Sequence, residues 1–330
     1  MSLVRRAVID VGTNSVKLLV ADVGGHDVHP VREDSKQTRL GRGFFETHRW
    51  QSQAIAATTL AVARFADEAR ALKASSVRVI ATSAARDATN QADLKSAIQD
   101  ATALPLEIIS GDQEADWAFQ GVTSDPALAQ LPLLLLDVGG GSTEFILGQG
   151  EQKHFRKSFR LGTVRLLETM PPSDPPTKEE FAETRQWIRE FLTKKVVPEL
   201  QPALRREVEL HAAHKPVALV GTGGTTSILA RMEAELEDYD RYLIEATRLS
   251  LERVCWHNEQ LWGLPLAQRQ DIIGLPRKRA DVILAGVAIF EAVMESLGFR
   301  ELRVSTRGLR FAAVMSEPPV ASPSEERLQQ

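Results

Sequence analysis

A chain of 330 residues with 43% hydrophobic and 25% charged residues has the composition of a soluble globular protein and length enough for two domains, each with its own core. Its formal net charge of −4 excludes a global attraction to nucleic acid or to an anionic membrane, so a polyanionic ligand must be met by local cations and backbone N–H groups. The single cysteine, Cys255, excludes an internal disulfide and a cysteine-built metal site; its flank, Arg253-Val254-Cys255-Trp256, reads as a helix interior around a buried, inert thiol. The N-terminus enters a strand without a signal pattern and no apolar run reaches membrane-spanning length, so the cytoplasm is the expected compartment.

In chain order, residues 5–9 form an apolar strand that ends on Asp10 and the turn Gly12-Thr13-Asn14-Ser15. Residues 16–23 pair back as a hairpin, and 26–36 suit a third strand. Arg39-Leu40-Gly41-Arg42-Gly43 is a basic, glycine-rich loop before an alanine-rich helix over 51–72. A short buried strand at 77–81 leads into Thr82-Ser83-Ala84-Ala85-Arg86-Asp87, where Arg86 is read either as a surface ion-pair partner or as a phosphate contact. A strand at 106–109 precedes a helix opening at Ser110-Gly111-Asp112-Gln113-Glu114, with Ser110 or Asp112 as its cap. Glu114 then has two readings: an acid that complements the helix dipole, or a general base beside phosphate-binding turns.

Leu133-Leu134-Leu135-Leu136 runs into Asp137 and then Val138-Gly139-Gly140-Gly141-Ser142-Thr143-Glu144. Consecutive glycines after a buried strand lose backbone entropy and bring no packing surface. The stretch is either a tight strand-to-strand turn or a cradle whose bare N–H groups meet an anion, with Asp137 placed for the hard cation that such an anion brings. Asp10-Val11-Gly12-Thr13-Asn14-Ser15 is the same unit written earlier, which suggests an internal duplication, a cleft with a cradle on each wall, and favours phosphate binding. Strands follow at 144–147 and 155–159, then an arginine-flanked turn at Gly162, a proline-rich linker over 170–176 and a helix over 178–197. A buried strand at 217–220 empties into a third glycine turn, Gly221-Thr222-Gly223-Gly224. Arg277-Lys278-Arg279-Ala280-Asp281 precedes an apolar helix over 282–297, a last strand at 302–305 and a closing helix at 308–314. The Pro/Ser/Glu-rich stretch 316–330 reads as a disordered tail.

These ordered motifs together resemble the exopolyphosphatase/guanosine pentaphosphate phosphohydrolase (Ppx/GppA) family, within the actin-like, sugar-kinase and heat-shock ATPase superfamily. The resemblance runs from Arg5 to Val314 and implies an α/β fold of two ribonuclease-H-like domains with the active site in the interdomain cleft. The first domain is expected over 1–125, the second over 126–301, with 302–315 packing back on the first. By the resemblance, Glu114 is the water-activating glutamate and Asp137 and Glu144 are the other catalytic acids. Asp137, Glu144 and Asp10 would hold Mg²⁺ or Mn²⁺. Asn14, Ser15, Arg86, Gly139, Gly140, Gly141, Ser142, Gly223 and Arg279 would line phosphate positions.

The implied reaction is metal-assisted attack of water on a terminal phosphoanhydride of inorganic polyphosphate or, alternatively, of guanosine pentaphosphate, a stringent-response nucleotide. An ATP-dependent kinase of the same superfamily and a non-catalytic alarmone-binding sensor are the rival classes. A homodimer is a further expectation; nucleic-acid and membrane partners are not. Three departures stand out: Asp112-Gln113 where further glutamates are usual, Lys278 where glycine is usual, and the lack of the extra C-terminal domains of the long members.

Overall fold

The computed structural model describes residues 3–211 and 216–316. In the first half β1 (Val4–Val11), β2 (Ser15–Gly24) and β3 (Asp27–Gln37) form an antiparallel meander. To it β4 (Ser76–Ala81) and β5 (Leu106–Ile108) add in parallel, giving the order β3-β2-β1-β4-β5. In the second half β6 (Leu133–Val138), β7 (Thr143–Gln149) and β8 (Gln152–Phe159) repeat the meander. There β9 (Ala218–Thr222) lies parallel to β6, β10 (Arg248–Ser250) forms an antiparallel edge, and β11 (Glu301–Val304) sits between these two. Without β10, the second order, β8-β7-β6-β9-β11, matches the first. The duplication suggested by the glycine turns is therefore a duplication of a whole sheet, in two ribonuclease-H-like domains.

Alternation along the strands aims the acids. Ile9 and Val11 face an outer core with the helices Ser52–Ala71 and Gln91–Thr102, while Val8 faces inward. Asp10 shares the inward side at the end of β1. In β6, Leu134, Leu136 and Val138 belong to an outer core with the helices Lys178–Phe191 and Ile283–Leu297; Leu133 and Leu135 face inward, and so does Asp137.

Two helices fill the space between the sheets, and each comes from the opposite half of the chain. Ala115, Ala118, Phe119 and Val122 of the helix Gly111–Thr123 pack on Leu133, Leu135, Ile146 and Val220 of the second sheet. Phe311, Ala313 and Val314 of the closing helix Leu309–Met315 pack on Val8, Leu19 and Ile80 of the first. The helices touch at Gly121, where a Cβ would lie 2.1 Å from the Gly308 carbonyl oxygen. This exchange bears on two expectations. The helix Gly111–Thr123 lies in the stretch given to the first domain, and it packs on the second sheet through Ala115, Ala118, Phe119 and Val122 and on the first through Trp117, which joins the cluster of Val8, Leu19 and Ile80. Of the segment 302–315, only the helix packs on the first domain, because Leu302–Val304 pair with Leu219–Gly221 in the second sheet.

Three local expectations also change. The helix expected over 178–197 runs on through Leu192–Val196, a π-helical turn, into Val197–His211. The wider turn opens the hydrogen-bond ladder just before Pro198, which has no N–H to give it. Residues Thr163–Thr169, read only as an arginine-flanked turn, form a short helix. Cys255 lies in the helix Leu251–Trp262 as expected but is half-buried, its thiol pushed up to about 11 by desolvation and by the charges of Glu291 and Glu295. Of the expected tail only Ser316 is described; 317–330 lie outside the described residues. Among the described residues, no helix is long and apolar enough to cross a membrane.

Candidate active site

The two glycine turns share one backbone. Gly12 N–H donates to the Ser15 carbonyl at 3.0 Å, and Gly139 N–H donates to the Ser142 carbonyl at 2.9 Å. They face each other closely: a Cβ on Gly140 would lie 2.8 Å from Thr13 Cβ. The third turn works differently. Gly223 has φ +89°, a left-handed conformation, and a Cβ there would fall 2.6 Å from Asp137 Oδ1. Glycine therefore lets the β9 chain enter the helix Gly223–Glu233 with that helix's N-terminus against the Asp137 carboxylate.

Between these turns lies a cavity of about 570 Å³ lined by six carboxylates: Glu33 and Asp34 of β3, and Asp10, Glu114, Asp137 and Glu144. Asp10, Glu114, Asp137 and Glu144 are each held above their ordinary range first by desolvation. Glu114 rises to about 7, with Asp137 and Asp10 adding repulsion and the Arg86 guanidinium opposing it. Its Oε2 accepts from Arg86 Nη1 at 2.6 Å. Ser110, not Asp112, caps its helix by accepting from Gln113 N–H, which leaves Glu114 in the first turn facing the cleft. Glu144 is pushed well up by burial and by the charges of Glu114 and Asp137. Its Oε1 accepts from Ser142 Oγ and from Ser158 Oγ, both at 2.7 Å. Ser158 is the cross-strand partner of Glu144 on β8.

Of the residues expected at the site, Asp10, Asn14, Ser15, Glu114, Asp137, Gly139, Gly140, Ser142, Glu144, Gly223 and Arg279 do line this one cavity. Arg86 and Gly141 do not. Arg86 is turned to Glu114 and to the Ile109 carbonyl, so in this structure it orients the glutamate instead of facing the cavity. Gly141 packs against the opposite wall, where a Cβ would lie 2.8 Å from Ser83 Oγ, and its carbonyl accepts from Arg165 Nε. Asp112 is exposed and its neighbour Gln113 does not line the cavity, so that departure leaves the cleft's charge untouched.

Sequence reading missed Lys17, which lines the cavity opposite Asp10 in the β1–β2 register. Its ammonium is pulled down by desolvation, against the attraction of Asp10 and Asp137. The signal was present, since strand alternation puts Lys17 on the Asp10 side of the hairpin. Arg231 and Arg310, also lining, carried no comparable local signal.

A cation fits the acids in one manner only. Among the described residues these carboxylates form no group of three ligand atoms within 4.8 Å of one another, so they are not a preformed cage. Asp10 Oδ1 is nevertheless buried without a hydrogen-bond partner, as are the donors Asn14 Nδ2 and Ser15 Oγ beside it. One or two carboxylates, completed by phosphate oxygens and water, is how Mg²⁺ is usually held, and this donor set suits it.

The model of the Ppx/GppA phosphatase family matches residues 19–319. The chain is 37% identical to Exopolyphosphatase 2 of Mycobacterium tuberculosis, over 96% of this chain and 99% of that protein. Among solved structures it resembles the Aquifex aeolicus PPX-GPPA enzyme, with TM-score 0.75, 28% identity and coverage of 96% of this chain and 100% of that one. An exopolyphosphatase from Cytophaga hutchinsonii superposes with TM-score 0.79 at 25% identity, over 93% and 96% of the two chains.

Proposed function

This chain belongs to the Ppx/GppA phosphatase family, and from that premise we propose that it is an exopolyphosphatase that releases terminal orthophosphate from inorganic polyphosphate. The observation that carries the reading is Glu114: a buried carboxylate held at about 7, gripped by Arg86 on one oxygen, in a cavity whose other walls are phosphate-type glycine turns. A base near neutrality is what activation of water requires. A kinase would share the turns but has no need of that group.

In this mechanism the N–H groups of the Gly139 and Gly223 turns, Asn14, Ser15, Lys17 and Arg279 bind the terminal phosphates. Arg86 orients Glu114, which takes a proton from water placed in line with the scissile bond. Asp10 and Asp137 would hold Mg²⁺ or Mn²⁺, which when bound supplies charge stabilisation on the phosphoryl oxygens, with Glu144 held beside them by Ser142 and Ser158. The two strand-end turns bring an aspartate and phosphate donors to each wall. The phosphate contacts charge-stabilise the transition state, and general base catalysis adds roughly 10²–10⁴-fold.

The test is phosphate release from short polyphosphate, long polyphosphate and guanosine pentaphosphate, by the native protein and by Glu114→Gln, across pH 5–9. Release from polyphosphate is expected, with Glu114→Gln slower by roughly 10²–10⁴-fold and polyphosphate still bound. Activity should fall as pH drops through about 7, because a base must be unprotonated to act. Guanosine pentaphosphate as the sole substrate would move the assignment to the other branch of the family. Binding of either without release would make the protein a sensor.

A further inference from the structure

One short segment ties down three consecutive carbonyls of the second-wall turn. The Gly139 carbonyl accepts from Thr163 N–H at 2.9 Å, and the Gly140 carbonyl from Val164 N–H at 2.8 Å and Arg165 N–H at 3.0 Å. The Gly141 carbonyl accepts from Arg165 Nε at 2.9 Å. Gly162 lets the segment come this close, since a Cβ there would lie 2.6 Å from the Gly140 carbonyl. In a trans peptide the N–H points opposite to the carbonyl, so these bonds aim the N–H groups of Gly140, Gly141 and Ser142 the other way. Among the described residues no backbone carbonyl takes those three N–H groups. Gly140 and Ser142 line the cavity, which leaves their N–H groups for an anion there.

The first-wall turn is tied differently. Its Thr13 carbonyl accepts from Gly41 N–H at 2.7 Å, and its Asn14 carbonyl from Thr38 N–H at 3.1 Å and Arg39 N–H at 3.0 Å, all of them backbone donors. Gly141 stands where Asn14 stands in that turn, yet its carbonyl is held by a side chain. That side chain is braced from across the cleft. The Arg165 guanidinium carbon lies 4.1 Å from the centre of the Phe45 ring, and Nη2 is 3.4 Å from Asp87 Oδ2. A planar guanidinium can stack, pair and donate at once, which an ammonium cannot.

We propose that Arg165 is a positioning residue for the reaction. It fixes the Gly141–Ser142 peptide with the Ser142 N–H toward the terminal phosphate, and Phe45 and Asp87 hold it in the pose that does so. Without this bond the freedom of glycine lets the peptide turn over and set a carbonyl oxygen against the phosphate. The proposal rests on the exopolyphosphatase reading and deepens it, since neither Arg165 nor Asp87 lines the cavity and each acts through the turn.

The test is phosphate release from long-chain polyphosphate by the native protein, Arg165→Gln, Arg165→Lys and Asp87→Asn, with the Tm of each. Both Arg165 variants are expected to raise KM about tenfold, the scale of one hydrogen bond to a charged group, and to change kcat less than about threefold. Native KM in Arg165→Lys would show that charge alone matters and would overturn the proposal. So would a lower kcat and lower Tm at native KM, which is the mark of a merely structural arginine. Asp87→Asn is nearly isosteric and keeps the proposal exposed if the Arg165 variants melt early. Removing that negative charge would by simple attraction lower KM for a polyanion, whereas loss of the brace raises it, by about threefold, the scale of one ion pair. A KM in Asp87→Asn at or below the native value overturns the proposal. No release from polyphosphate by the native protein is a different result: it removes the exopolyphosphatase reading, and the role of Arg165 with it.

Discussion

The turn after β1 and the turn after β6 align residue for residue, yet the residue facing the aspartate across each hairpin differs in sign. Asp10 lies opposite Lys17, whereas Asp137 lies opposite Glu144. The first wall is therefore internally compensated, and the second gathers acids that repel one another and Glu114. Duplication has supplied two equal backbones, and one cross-strand position on each sets the charge beside the aspartate: a lysine on the first wall, a glutamate on the second. The same contrast holds at the turn tips, where Thr13 on the first wall fits into the space left by Gly140 on the second.

The comparison is broken most directly at the two facing positions. Glu144→Gln should slow turnover by roughly 10²–10⁴-fold while leaving KM nearly unchanged, whereas Lys17→Met should act chiefly by raising KM. Turnover loss of equal size in both variants would show that the walls are not specialised. Glu144→Gln also has a stability signature, measured with chelator present. The buried Glu144 carboxyl is raised in the folded state, so it supports the fold while protonated and loses that support as pH climbs through its raised value. Glutamine does not titrate. The variant's Tm should therefore gain on the native Tm as pH rises above the ordinary glutamate value of 4.5, by roughly 2–4 °C.

A smaller effect comes from the turn tips. A Cβ on Gly12 or Gly139 would meet only its own turn, at 3.1 Å and 3.0 Å from the serine carbonyl oxygens, so Gly12→Ala and Gly139→Ala should behave alike. Gly140→Ala instead pushes on Thr13 of the opposite wall. It should reduce kcat/KM about tenfold, as expected for displaced reacting groups, and Thr13→Gly in the same chain should restore most of it. Lack of rescue would mean that the two walls do not meet during turnover.

What was legible in the sequence was local. Apolar strands ending on Asp10 and Asp137, the repeated glycines and the capped Glu114 helix all carry their meaning within a dozen residues. Of the exchange of the two inner helices, the return of the closing helix to the first domain was legible through the family resemblance; the other half was not, because the apolar stripe of Gly111–Thr123 announces burial but not the sheet that buries it. Arg86 was ambiguous for the same reason: only the fold shows that Glu114, 28 positions away, is its partner. The continuation past Pro198 ran against the rule that proline ends a helix, which the π-turn locally suspends.

The least expected effect concerns how the two walls are held together. Two of the motifs read separately in the sequence, Arg39-Leu40-Gly41 and Arg279-Ala280-Asp281, meet across the cleft as an ion pair of 2.9 Å between Arg39 and Asp281. Its side chains are 44% and 33% exposed, so solvent screens most of the attraction and the pair should contribute only about 0.2–1 kcal/mol. A second tie across the cleft is built otherwise: the Glu168 carboxylate accepts from Gly43 N–H at 2.6 Å and Phe45 N–H at 3.2 Å, donors that cannot swing away into water. A double-mutant cycle of Arg39→Ala with Asp281→Ala should give a coupling within that range, fading in high salt, while Glu168→Gln should lower Tm by more than either. Coupling well above 1 kcal/mol that persists in salt would mean that the exposed pair, and not the backbone-anchored carboxylate, sets how closely the first wall approaches the second.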